Sequence, residues 1–144
     1  MTRLLVRDDR GFSPIETAIV APLLLTLLLI VIGAGRVAKA NMSVDAAAYS
    51  AARAASISRT SGEASGQAQS AARDTLSQQG LQCAPANVDV DTSAFSTQVG
   101  SRSSVNVTVT CTVPLADLSI PGMPGTRTVT GTASSALDSY RGRN

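Results

Sequence analysis

The chain of 144 residues contains no histidine and no tryptophan, and its aromatic side chains amount to two Tyr and two Phe. Without imidazole it lacks the commonest general base. With so few rings it lacks the stacking platforms on which single-stranded nucleic acid is held. Charge is scarce as well: 15% of the residues are charged and the formal net charge is +2, too little for a basic stripe along a phosphate backbone. There is no CxxC, no HExxH, and no Walker or GxGxxG loop, and the serine of "GEASG" (Gly62–Gly66) is misplaced for a nucleophile elbow. The sequence therefore predicts no enzyme, no cofactor, no nucleic-acid partner and no small-molecule substrate. Asp89 and Asp91 alternate with valines as solvent-face residues of a strand do, so they are not read as a metal pair. The Asn-x-Ser/Thr triplets at Asn41 and Asn106 are expected by chance in a chain this rich in Ser and Thr.

What the chain does have is one long apolar run. Between Glu16 and Arg36 stand nineteen uncharged residues, which as a helix rising about 1.5 Å per residue reach roughly 28 Å, close to the ~30 Å hydrocarbon core of a bilayer. Arg3, Arg7 and Arg10, against Asp8 and Asp9, precede it, and Arg36 and Lys39 follow; the count favours a cytoplasmic N-terminus only slightly. Pro22 lies inside the run, where a kink is tolerated if neighbouring helices satisfy the freed carbonyl. The triplet Ala38–Lys39–Ala40 matches a signal-peptidase site, but the run exceeds the roughly 7–15 apolar residues of a signal peptide and the small-residue pattern continues past it.

Beyond the run, Val37, Ala40, Val44, Ala47, Ala48, Ala51 and Ala55 recur at three- and four-residue spacing, with no Gly or Pro between Arg36 and Thr60. One continuous helix is expected from near Ser13 to about Ile57. "TSGE" at Thr60–Glu63 is a capping-box pattern that starts a second helix; Ala64, Ala68, Ala71, Ala72, Thr75 and Leu76 mark its less polar face, and Gly80 stops it. The period then changes to two over Asn87–Asp91, Ser104–Val113 and Thr128–Ala133, with Pro114, Pro121–Gly122 and Pro124–Gly125 punctuating the last connection. This predicts an α+β chain: a long N-terminal transmembrane helix extending into a small pilin-like head, in which the second helix, or the outer half of the first, lies on a three-stranded antiparallel sheet. Cys111 shares the valine face of the second strand and Cys83 follows the second helix. A disulfide between them is expected, closing a loop of about 29 residues and contributing roughly 3–4 kcal/mol; the alternative is two buried free thiols.

Glu16 is the residue that a plain anchor does not require. "SPIE" (Ser13–Glu16) forms a capping box with proline at the first helical position, which alone accounts for a glutamate there. Yet the preceding "RG" is followed at once by Phe12, and this resembles the prepilin pattern: a short basic leader ending in Gly, cleavage after it, and Glu fifth in the mature chain. More closely, "RGFSPIETAIVAPLLLTLLLIVIGAGR" followed by "AAYSAARAAS" resembles the TadE-like pseudopilins of the tight-adherence (Flp, type IVb) pilus system. Ile15–Glu16, Pro22, Gly35–Arg36 and Ala52–Arg53–Ala54–Ala55 occupy the family's positions, while Thr17 replaces its usual aromatic and Pro14 is unusual so near the cleavage site.

The resemblance implies a minor pseudopilin, a structural component of pilus assembly in the membrane. It implies cleavage by a prepilin peptidase between Gly11 and Phe12, recognition or subunit assembly through Ile15 and Glu16, and other pilins or pseudopilins as partners. Cleavage leaves an ammonium on Phe12, and Glu16, about 6 Å along the helix, could neutralise it on its own chain or on a neighbour's. The expected organisation is a leader over 1–11, a transmembrane helix over 12–35, its extracytoplasmic continuation over 36–60, and a head over 61–144 whose C-terminal tail is disordered. The alternative is a signal-anchored or secreted surface protein with a small binding domain, unrelated to pili.

Overall fold

The computed structural model describes residues 14–83, 86–98, 100–114 and 125–138. The first helix, α1, runs unbroken over Pro14–Ser56, about 65 Å at the standard rise. Glu16 stands in its first turn and Arg53 in its last, each complementing the helix dipole. A short connection then leads to α2, Ser61–Gln78. Thr60 is its N-cap: its hydroxyl accepts from the Glu63 amide at 3.2 Å, and the Glu63 carboxylate accepts from the Arg59 amide at 3.1 Å. The box is thus closed one residue further back than the sequence pattern implies. At the other end the Gly80 amide donates to Ser77 O and the Leu81 amide to Leu76 O, both at 3.0 Å. This double bond with Gly80 at φ +67° is a Schellman motif, which glycine completes because it alone adopts that φ without a Cβ clash.

Three strands follow: β1 Ala86–Asp91, β2 Ser104–Pro114 and β3 Thr126–Ala136, in the order β1-β2-β3 with both pairings antiparallel. The register pairs Val88 with Val109 and Val90 with Val107 across β1 and β2, and Val109 with Gly131 and Cys111 with Val129 across β2 and β3. One face therefore carries Val105, Val107, Val109, Cys111 and Val129, all buried. The opposite face is built from Thr108, Thr110 and Thr112 beside Thr132, Thr130 and Thr128, polar β-branched residues suited to a solvated sheet face.

The outer half of α1 lies on this sheet, contacting β2 and β3, while α2 packs along α1 and reaches β1. Both helices are joined to the core through alanine: Ala40, Ala47, Ala48, Ala51, Ala52 and Ala55 on α1, and Ala64, Ala68 and Ala72 on α2, are fully buried. Small side chains bury little area each but let the backbones approach. The approach is closest at Gly131, where a Cβ would stand 2.9 Å from Val44 C and from the Asp45 amide nitrogen. A glycine inside a strand here marks the place where another backbone arrives. At the far end of the head the Ser135 hydroxyl donates to Ser56 Oγ at 2.9 Å, and Ser56 donates in turn to Arg53 O at 2.9 Å.

Cys83 and Cys111 form a disulfide, with Cα atoms 5.1 Å apart. It ties the exit of α2 to the second half of β2.

Candidate functional site

The exposed surface of α1 is concentrated in its N-terminal half. From Glu16 to Ile32 nearly every side chain is exposed; Ile19 and Leu23 are 68% and 67% exposed, and Leu24, Leu25, Leu27, Leu28, Ile30 and Val31 share that state. The first fully buried apolar side chain of the helix is Ala40. Two helical segments of different chemistry are therefore joined end to end. One packs into the head; the other, which is long and apolar enough to cross a membrane, is left exposed among the described residues. A helix apolar on all sides calls for lipid or other helices around it.

Polar groups inside this segment are few. The Thr26 hydroxyl donates to Pro22 O at 2.8 Å, so it asks for no partner in an apolar medium. Glu16, at the mouth of the segment, is exposed in the first turn. Ile15 is part of the helix. Gly11 and Phe12, and Ser13, which the sequence predicts as the cap, lie outside the described residues, as does the tail from 139 onward.

Past the membrane-length segment, Arg36 and Lys39 begin the extracore turns, and α1 keeps an exposed side at Met42 and Tyr49, with Ile57 exposed just beyond its end. Arg36 and Lys39 also line a cavity with Gly80, Leu81, Gln82, Val113 and Pro114. In the sequence these two cations bear only on orientation; their place beside the α2 exit and the end of β2 depends on the fold.

The Ala38–Lys39–Ala40 triplet is unsuited to signal-peptide cleavage, since it lies within unbroken helix and Ala40 is completely buried. Asp89 and Asp91 are exposed on β1. Asp91 is held below the usual carboxylate range by the Ser93 hydroxyl and amide, the amide at 3.0 Å, with a smaller contribution from Asn106. It thus accepts from the first amide of the short 3-10 turn Ser93–Ser96, whose N-cap is Thr92. Among the described residues no group of three or more His, Cys, Asp or Glu side chains is placed to hold a metal ion.

Comparison with known proteins bears on the long helix. The family model described as TadE-like protein matches residues 11–53. Neither a curated protein nor a solved structure matches the chain. The matched stretch begins at the Gly of the leader pattern, takes in the whole apolar segment and continues through the alanine stripe that meets the sheet; this stretch, less than half of the chain, is similar to the TadE-like family.

Proposed function

We propose that this chain is a minor pseudopilin of a Tad (Flp, type IVb) pilus system: a single-pass membrane protein with its N-terminus in the cytoplasm and its head outside, cleaved by a prepilin peptidase between Gly11 and Phe12. The observation that carries the reading is the uncovered apolar half of α1, about 30 Å of helix with exposed leucines and isoleucines on all sides, in a stretch whose family match starts at Gly11.

Such a helix can rest in a bilayer before assembly and among the helices of other pilins after it, because the surface offered is apolar in both settings. The head then serves as a rigid cap on the helix rather than a reaction centre. The exposed side of α1 at Met42 and Tyr49 continues the helix surface outward, so neighbouring subunits would meet both within and just beyond the membrane. Glu16 and Ile15 mark the inner end, where the Phe12 ammonium would appear after cleavage.

The test is the mass of the chain purified from membranes of its native host. Cleavage after Gly11 gives a mature protein beginning at Phe12 that co-purifies with other pilins. A chain retaining residues 1–11 would remove the pseudopilin reading in favour of a plain anchored surface protein, and a chain beginning at Asn41 would establish secretion instead.

A further inference from the structure

We propose that the cavity between Arg36, Lys39 and Gln82 binds the phosphate of an anionic phospholipid from the leaflet next to the head. The cavity, about 530 Å³, is bounded by the first turns of α1 after the apolar segment, by the α2 exit at Gly80, Leu81 and Gln82, and by the end of β2 at Val113 and Pro114. That volume lies within the roughly 300–1,000 Å³ of small-ligand clefts. The inference rests on the membrane-spanning reading of α1, and not on pilus assembly.

Its height is fixed by the helix that crosses the bilayer. Arg36 directly follows the nineteen uncharged residues, and Lys39 is one turn further on. Both side chains therefore stand at the headgroup layer, where phosphates lie. With a cytoplasmic N-terminus, two cations on the other side of the span run against the usual bias of Lys and Arg, which a phosphate ligand there explains.

The chemistry is divided as a phospholipid is. Arg36 and Lys39 supply positive charge, and a guanidinium with five N–H donors can bind phosphate while keeping its interaction within the chain. Gln82 is exposed and adds an amide donor. Leu81 and Val113 are half-buried and pack on the core, giving the glycerol and first methylenes an apolar wall. That wall is held in place: Cys83 adjoins Gln82, Cys111 lies two residues before Val113, and the two cysteines are bonded. The Schellman bonds fix the backbone of Gly80 and Leu81. The site is thus built before the lipid arrives, which limits the ordering cost of binding.

The test uses the full chain in nanodiscs of phosphatidylcholine with increasing phosphatidylglycerol, released into native mass spectrometry to count retained lipids. Wild type should retain phosphatidylglycerol in preference to phosphatidylcholine. Arg36→Gln with Lys39→Gln should reduce that preference roughly five- to thirtyfold, the range for removing one or two interfacial cations, while the disulfide and thermal unfolding of the head stay unchanged. Arg53→Gln with Arg59→Gln, at the distant end of the head, should leave it intact; an equal loss there would mean bulk charge rather than a site. Equal retention of the two lipids by wild type, or unchanged preference in the cavity variant, would overturn the proposal. Displacement of the bound lipid by millimolar inorganic phosphate would assign the site to a free phosphate instead. A chain that enters neither bilayer would remove the membrane reading and this site together.

Discussion

Glu16 is the residue at which the physical explanations divide. As a first-turn carboxylate it favours the positive end of α1 and, by its spacing from residue 13, suits a capping box. Neither role needs a neighbour, and the capping box does not need the charge, since glutamine also serves there. A carboxylate at the mouth of an uncovered apolar helix is nonetheless expensive in hydrocarbon without a cation close by, and the Phe12 ammonium of an adjacent mature subunit would be such a cation. Glu16→Gln separates the two roles. On the proposed pseudopilin reading it should insert and be cleaved at Gly11 no less than the parent, yet lose most of its co-purification with other pilins, because an ammonium left unpaired in apolar surroundings carries its whole desolvation cost. Undiminished co-purification of cleaved Glu16→Gln protein would leave the cap as the whole role of the residue.

At the scale of elements, two glycines of the head predict opposite outcomes. Gly131 meets the α1 backbone, and an added methyl would force α1 and β3 apart or push Asp45 aside; Gly131→Ala should destabilise the head by about 1–3 kcal/mol, the usual cost of overpacking. Gly66, in the middle of α2, has open space where a Cβ would stand. Gly66→Ala should raise stability by about 0.5–1 kcal/mol through helix propensity. Thermal unfolding in detergent reads both, and a neutral Gly131→Ala would mean that the helix and sheet are not held at this contact. Periodicity made the elements themselves legible: the alanine stripe gave α1 almost to its last residue, and "TVTCTV" could only alternate. Which helix covers the sheet was not legible, because both helices present the same small residues and the deciding contact, Gly131 against Val44 and Asp45, joins positions far apart in the sequence. The strands also run further than alternation suggested, β3 from Thr126 to Ala136, since pairing with β2 extends a ladder whatever the side chains. The turn at Ser93–Ser96 has no period to read; it follows from Asp91 reaching the Ser93 amide. At the candidate site, the apolar span was visible as composition, whereas the cavity by Arg36 was not, since it needs the α2 exit and the end of β2 brought to one place.

The whole molecule is held together by two different kinds of stability that meet near residue 36. Among the described residues nothing packs over the apolar half of α1, which is long and apolar enough to cross a membrane; in a bilayer its folding would follow from the need of every backbone group to bond within the helix. The head has the reverse problem: ten of the eighteen buried apolar residues among those described are alanine, so its core contributes little hydrophobic area for the chain it orders. In such a head the Cys83–Cys111 bridge, at roughly 3–4 kcal/mol for its loop length, is a large share of the 5–15 kcal/mol typical of a domain. Because the bridge lies wholly on the head side of Arg36, its loss should be felt there alone. Cys83→Ser with Cys111→Ser should still insert in membranes at parental levels, since insertion depends on the residues between Glu16 and Arg36. Its head should unfold at a temperature lower by about 4–8 °C per kcal/mol lost and become sensitive to protease added from the head side, with cleavage confined to residues beyond Arg36. A double variant that also failed to insert would show that the head must fold before the helix can enter the bilayer, and the two halves of α1 would then have to be treated as one cooperative unit.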